Sequence, residues 1–316
     1  MSLKRKIKKN LGYILLLLLL LLLAGSWWAY APDIPVEELK EKYADSPSSF
    51  IEVQGMPVHY RIEGRGMPLV LLHGTAASLH TWDGWTEQLD EDFAIIRLDL
   101  PGFGLTGPHP EAAYRVDDYA LFLDEFMQRL GIDYFSLAGN SLGGGIAWNY
   151  AAKYPDKVDR LILIDPLGIP SDKQPAFIFT LARMSLTAAA LKHLTPKEVI
   201  AGNLKEVYHD DSKISDSLIE RYYLMTRRAG NRQAFVDRAN TDNPSDTTLL
   251  KQINSPTLIL WGEHDEWIPV SDGAIFERLL PNAELIIYPN AGHVPMEEIP
   301  EQTAADAKAF LLKADK

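Results

Sequence analysis

The chain has 316 residues and a formal net charge of -12, from 31 Lys and Arg against 43 Asp and Glu. That balance argues against a nucleic-acid protein, which needs a basic face for phosphates, and the absence of cysteine removes disulfides, thiolate metal sites, a thiol nucleophile and a lipidated cysteine. A hydrophobic fraction of 47% argues against disorder and supplies one large core, with or without an inserted module.

Five bases, Lys4, Arg5, Lys6, Lys8 and Lys9, come before an uncharged stretch from Asn10 to Pro32 centred on Leu15–Leu23. A helix rising about 1.5 Å per residue covers roughly 34 Å over that stretch, against a hydrocarbon core of about 30 Å. Residues 1–32 are therefore expected to form an N-terminal transmembrane anchor or uncleaved signal, with Trp27, Trp28 and Tyr30 at the outer interface. Acids Asp33, Glu37 and Glu38 follow, so the positive-inside rule places the large domain on the non-cytoplasmic side, periplasmic or extracellular. A cleaved signal peptide is the alternative, cut after Ala29-Tyr30-Ala31 or Ala24-Gly25-Ser26, although Pro32 disfavours the first position.

Residues 33–49 are polar, contain Pro35 and Pro47, and are expected to be a linker. Runs rich in β-formers follow: 50–53, 58–62, 69–72, 94–98, 134–138, 160–164, 257–261 and 284–288. The later runs are continuously apolar, as in strands covered on both faces, and helical patterns such as 117–130 and 142–154 separate them. The alternation predicts a doubly wound α/β sheet whose first two strands form an antiparallel edge hairpin. Residues 50–168 and 251–316 are expected as the two parts of the core. Between them, 169–250 reads as helix at 177–191, 196–208, 215–229 and 232–239, far more than a crossover needs, and is expected to be a helical cap.

The sharpest chemical signal is Gly139-Asn140-Ser141-Leu142-Gly143, between a strand and a helix. A nucleophile on such a turn needs small neighbours two residues either side, and the following helix N-terminus offers N–H groups to an oxyanion. By itself the motif also fits a Gly-rich turn with a capping serine. A serine needs a base and a group that orients the base. After the strand at 257–261 comes Gly262-Glu263-His264-Asp265, and after the strand ending at Tyr288 comes Asn290-Ala291-Gly292-His293. In a parallel sheet these loops share one edge with Ser141, where ligands of open α/β sheets bind. Asp165, which ends the strand at 160–164, is a rival for the acid, as are Glu263 and Asp272. A metal held by Glu263, His264 and Asp265 is disfavoured, because adjacent residues rarely face one ion together; neither metal nor cofactor is expected.

At these motifs the chain resembles the α/β-hydrolase superfamily from about residue 50 onward. The matching pieces are Leu71-Leu72-His73-Gly74-Thr75, Asp99-Leu100-Pro101-Gly102-Phe103-Gly104, the Ser141 elbow, Trp261-Gly262-Glu263-His264-Asp265 and Gly292-His293-Val294-Pro295-Met296-Glu297. The resemblance implies an eight-stranded, mostly parallel sheet with a helical lid after the sixth strand. It also implies a triad of Ser141, Asp265 and His293, and an oxyanion hole from the backbone N–H groups of Leu142 and Thr75. His73, Gly74, Gly139 and Gly143 then support the site, and Asp99, Pro101, Gly102 and Gly104 shape a loop beside it.

A serine in the elbow excludes the branches whose nucleophile is a carboxylate and fits acyl transfer. The elbow is similar both to lipase and monoacylglycerol-lipase-like enzymes and to carbon-carbon bond hydrolases acting on ring-cleavage products. The latter usually carry Trp after the histidine, where this chain has Val294. The expected function is a serine esterase or lipase for hydrophobic carboxylic esters, held at a membrane by the leader, with a small apolar ester or lipid as its substrate. A carbon-carbon bond hydrolase is the second reading and a non-catalytic binding or signalling protein the third. Phe177, Ile178, Phe179, Leu181, Met184, Leu186 and Leu191 are candidates for an apolar substrate wall, although cap packing accounts for the same stripe. Arg227 and Arg228 read as a solvated helix face more than as a carboxylate site.

Overall fold

The computed structural model describes residues 3–170 and 173–314. Ser171 and Asp172, inside the expected cap, and the two residues at each end lie outside the described residues. The strands are β1 (Ser49–Val53), β2 (Met56–Gly64), β3 (Met67–Leu72), β4 (Phe93–Leu98), β5 (Phe135–Asn140), β6 (Val158–Ile164), β7 (Thr257–Gly262) and β8 (Ala283–Tyr288). They form one sheet in the order β1-β2-β4-β3-β5-β6-β7-β8. The pairs β1/β2 and β2/β4 are antiparallel and the remaining five are parallel. The chain thus has the expected eight-stranded, mostly parallel α/β-hydrolase sheet.

The helices are α1 (Leu3–Ala29), α2 (Val36–Tyr43), α3 (Asp83–Leu89), α4 (Val116–Leu130), α5 (Leu142–Lys153), α6 (Phe177–Arg183), α7 (Ser185–Leu191), α8 (Lys197–Val207), α9 (Asp216–Thr226), α10 (Asn231–Ala239), α11 (Ser271–Leu279), α12 (Pro295–Glu298) and α13 (Pro300–Leu311). In central strands the runs Leu69–Leu72 of β3 and Leu161–Ile164 of β6 are continuously apolar because both faces are covered. Val70, Leu72, Leu137 and Leu163 pack with residues of α4, α5 and α11. Leu69, Leu71, Ile162 and Ile164 pack with residues of α3, α13 and α8. Leu69 to Leu72 are fully buried, each side chain contributing about 1.5–3 kcal/mol over an exposed position.

The stretch expected as a linker carries α2 and buries Ile34 and Leu39 in a small cluster with Leu105 and Met225. The helix expected over 177–191 is two, because Met184 is extended and the Thr187 hydroxyl donates to the carbonyls of Leu181 and Met184 at the break.

The expectation of a transmembrane anchor, with the large domain held on the non-cytoplasmic side, is corrected here. Among the described residues no helix is long and apolar enough to cross a membrane. The basic segment does not precede α1 but is taken into it, and the side chains of residues 3–9, on which the orientation argument rested, lie outside the described residues. The far end of α1 is tied to the protein: Thr195 N–H donates to the Ala29 carbonyl and Ala31 N–H to that of His193.

Candidate active site

Ser141 stands between β5 and α5 with φ 53° and ψ -114°. A non-glycine residue in that region costs on the order of 1–3 kcal/mol and persists only where the surroundings over-determine it. Here Ser141 N–H donates to the Ile164 carbonyl, while the Ser141 carbonyl accepts from Gly145 and Leu167. Glycine is required at both flanks. A Cβ on Gly139 would lie 2.2 Å from the Gly143 carbonyl oxygen, and one on Gly143 would lie 2.1 Å from that of Leu72. The second contact shows that the elbow is pressed against the end of β3, where His73, Gly74 and Thr75 follow.

His293 is brought to the same edge by the loop after β8. Its Nδ1 lies 2.6 Å from Asp265 Oδ2. An ionised carboxylate can only accept, so the proton sits on Nδ1 and the Nε2 lone pair is left free. That Nε2 is buried without a partner among the described residues, and Ser141 Oγ makes no hydrogen bond to it in this conformation. Asp265 is itself aimed by two backbone donors, Trp267 N–H at 2.7 Å and Ile268 N–H at 2.9 Å. The three loops after β5, β7 and β8 therefore bring Asp265 against His293, and His293 and Ser141 to one cavity of about 110 Å³.

Leu142 is the first residue of α5 and is buried; its N–H belongs to the helix's first turn, which has no intrahelical acceptor. Thr75 lines the cavity beside Gly74 and Ser141. His73 is a brace: its Nε2 accepts from Leu100 N–H at 3.0 Å and its Nδ1 donates to the Gly74 carbonyl at 2.7 Å. Burial lowers its pKa, which keeps the ring neutral. Asp99 is fully buried and takes His59 Nδ1, Leu105 N–H and Leu79 N–H. Burial alone would raise its pKa, but the charge and hydrogen bond of His59 hold it below the usual carboxylate range. A Cβ on Gly104 would fall within 2.1 Å of that carboxylate, and its φ is +52°, so the glycine is structural.

Asp165, the rival acid, is not bonded to His293. It is fully buried, has φ 42°, and accepts Gly262 N–H on Oδ1. Burial and the Asp265 carboxylate raise its pKa well above the ordinary carboxylate value. Of the other rivals, Asp272 caps no imidazole, and burial raises its pKa too. Among the described residues, Asp165, Asp265 and His293 also have ligand-type atoms within 4.8 Å of one another, but the short Nδ1–Oδ2 hydrogen bond already occupies that space with a proton.

Of the apolar residues expected to form a substrate wall, Ile178, Phe179 and Leu191 line the cavity, whereas Phe177, Met184 and Leu186 are exposed. Arg227 and Arg228 donate to backbone carbonyls, Arg227 to Pro32 and Arg228 to Thr106 and Ala229; Arg232 lines the cavity instead and pairs with Asp33 at 2.6 Å. Sequence reasoning missed three supports. Asn140 Nδ2 donates to the His293 carbonyl at 2.9 Å, joining elbow to histidine loop. Trp267 packs on the His293 ring, with centroids 5.4 Å apart. Glu298 accepts Gly292 N–H on one oxygen and both His209 and Asp210 N–H on the other. Only Asn140 carried a signal, its place inside the elbow motif.

The family described as alpha/beta hydrolase fold matches residues 67–300. The chain is 31% identical to Lipase 3 of Moraxella sp. (strain TA144) over 254 residues, which cover 78% of this chain and 77% of the relative. It is 26% identical to the 2-hydroxy-6-oxo-6-(2'-aminophenyl)hexa-2,4-dienoic acid hydrolase of Metapseudomonas resinovorans, over 87% of this chain and 94% of that protein. Among solved structures it is similar to a membrane phospholipase A described as a bacterial virulence factor, with a TM-score of 0.72 and 29% identity over 96% of this chain and 98% of that one.

Proposed function

The chain belongs to the alpha/beta hydrolase family and is a hydrolase, and from that premise we propose that it is a serine esterase or lipase for carboxylic esters with an apolar acyl group. The observation that carries this reading is the aimed imidazole: His293 Nδ1 is fixed on Asp265 while the buried Nε2, without a partner among the described residues, shares a cavity with Ser141. In this reading the Ser141 hydroxyl turns about Cα–Cβ to offer its proton to Nε2; active-site hydrogen bonds are often long before substrate arrives. The proton passes to Nε2 as Oγ bonds to the ester carbonyl carbon, and the carbonyl oxygen, now an anion, faces the N–H groups of Leu142 and Thr75. Collapse breaks the bond to the alkoxy group, which leaves with the proton from His293. Water, deprotonated by the same nitrogen, then bonds to the acyl carbon, and the acid is released as Ser141 Oγ takes back the proton from Nε2.

The cavity wall is mostly aliphatic and aromatic, with Ile178, Ile200, Leu204, Met225 and Phe235 among its residues, which suits an acyl chain. The likeness to Lipase 3 supports the ester reading. The likeness to the dienoic acid hydrolase supports carbon-carbon bond cleavage by the same serine as a second reading. Ser141→Ala is expected to lower kcat for p-nitrophenyl esters by about 10⁴-fold or more with the fold intact, and to abolish fluorophosphonate labelling. An acyl series from C2 to C16 is expected to peak above C4. Faster turnover of a vinylogous dienoate than of any ester would replace the ester reading with the second one.

A further inference from the structure

Two buried carboxyl groups meet behind His293, and the acyl-transfer mechanism uses only one. Asp165 follows β6 and Asp265 follows the neighbouring β7, so the topology alone sets them side by side. Asp265 receives three donors: Trp267 N–H, Ile268 N–H and His293 Nδ1. Asp165 receives one, Gly262 N–H on Oδ1, and its Oδ2 is buried with no donor among the described residues. Oxygens of both carboxyls and a nitrogen of His293 lie within 4.8 Å of one another.

Two carboxylates at that separation, out of water, cannot both ionise; one keeps the charge and the other the proton. Hydrogen bonds decide which, because each donor favours the charged form. Three donors make Asp265 the anion, and the bare Oδ2 of Asp165 is the place for a proton. The other ionisable groups facing the pair do not change this. Glu298 from α12 adds negative charge at Asp165, Tyr288 from β8 stays neutral, and Asp272 from α11 faces Asp265 and is itself countered by Lys173.

We propose that Asp165 is a positioning residue for Asp265: a neutral carboxyl whose proton is donated to the Asp265 carboxylate, giving it a fourth hydrogen bond and fixing it behind the imidazole. The proposal rests on the reading of Ser141, His293 and Asp265 as a triad. A neutral partner fits the role, because a carboxyl that keeps its proton has one to donate to the Asp265 carboxylate. The positive φ at Asp165 fits as well, being a conformation that Asp, Asn and Gly enter most easily.

That conformational preference sets the variants. Asp165→Asn keeps an acceptor for Gly262 N–H and an N–H donor toward Asp265; Asp165→Gly removes both while tolerating the backbone. For p-nitrophenyl ester hydrolysis by the full chain, Asp165→Asn is expected to stay within about threefold of wild type, with the acid limb of kcat/KM unmoved. Asp165→Gly is expected to lose roughly 10- to 100-fold in kcat at unchanged KM, as for a lost hydrogen bond to a charged group. Difference infrared spectroscopy of the wild type at neutral pH is expected to show the carbonyl stretch of a protonated carboxylic acid, lost in Asp165→Asn. If Asp165 is instead an anion, Asp165→Asn moves the acid limb to lower pH and the band is absent from the wild type; either result overturns the proposal, as does wild-type kcat in Asp165→Gly. An inactive Ser141→Ala beside such a result removes this proposal alone, whereas a fully active Ser141→Ala removes the triad reading beneath it.

Discussion

At the scale of single residues, the site is a problem of holding side chains in conformations they would not choose. Ser141 has a left-handed φ that the elbow imposes and that Gly139 and Gly143 make sterically feasible. His293 must keep one tautomer, with its proton on the nitrogen facing Asp265. This makes Asp265→Asn more damaging than its size suggests. The amide is the same shape, but its NH₂ group can donate to Nδ1 and so drive the proton to Nε2, where it blocks acceptance of the serine proton. The expected loss is about 10⁴-fold in kcat, with near-normal thermal stability because the N–H groups of Trp267 and Ile268 still find the amide oxygen. Steady-state kinetics at pH 7 to 9 checks it: recovery of most of the rate at high pH would mean that a carboxylate is not needed to fix the tautomer. The sequence shows Ser141, His293 and four candidate acids, Asp265, Asp165, Glu263 and Asp272, and only the family resemblance singles out Asp265 among them. Asp165 and Asp265 end adjacent parallel strands and reach the same edge, so choosing between them needs the side-chain direction that the left-handed backbone at Asp165 sets.

At the scale of elements, helix α8 and the histidine loop are one unit. His293 N–H donates to the Val207 carbonyl at the end of α8, and Glu298 on α12 binds Gly292 N–H and the N–H groups of His209 and Asp210 together. In Glu298→Gln one of those oxygens becomes a donor facing donors. A buried N–H left unmatched costs about 1–3 kcal/mol, so the urea midpoint is expected to fall with an unchanged slope. Activity is expected to fall beyond what partial unfolding explains, because the freed loop carries His293; full activity at matched folded fraction would show that the tie serves stability alone. This coupling was not legible in the sequence, where Glu298 follows Glu297 as an ordinary surface acid. The strands were legible to within a few residues because runs such as Leu69–Leu72 are apolar on both faces, as a short segment is when layers of helix cover it from both sides. Helix α2 was not, since in a Pro-flanked polar segment Val36, Leu39 and Tyr43 stand at helical spacing over only eight residues, too short a run to set a period. The split at Met184 was hidden for the converse reason: the stripe from Phe177 to Leu191 keeps its helical pattern across the break.

At the scale of the whole molecule, the N-terminal segment that composition reads as a membrane anchor is tied at its far end to the rest of the protein. Beyond α1, Ile34 N–H donates to the Arg227 carbonyl, Ala229 N–H to that of Ile34, and Asp33 pairs with Arg232 in the cavity wall. Composition alone reads a charge-free stretch by its length; what the sequence withholds is that α1 also takes in the basic segment, and that its end docks on the segment between α7 and α8. Helix α2 docks as well, through His80. The ring is buried, its Nε2 donating to the Tyr43 carbonyl at 3.3 Å and its Nδ1 accepting from the Ser78 hydroxyl at 3.2 Å. Both bonds suit the neutral ring, and burial lowers its pKa from 6.5 to about 4, with Asp99 and Asp83 offsetting part of the effect and Arg221 and Arg61 adding to it. Between those two values the unfolded chain binds a proton that the folded chain refuses, so stability is fully present above pH 6.5 and declines as pH falls toward 4. His73, also buried with a lowered pKa, adds a loss of the same sign, while Asp99, held below the usual range by His59, adds its own only under pH 4. The His80 share at pH 5 amounts to about 2 kcal/mol. Urea unfolding at pH 7 and pH 5 is expected to show a large loss in the wild type and a loss smaller by about that amount in His80→Gln, whose amide can keep a hydrogen bond without titrating. Equal losses in both proteins would mean that the ring is already reached by water, and that α2 does not seal this face of the molecule.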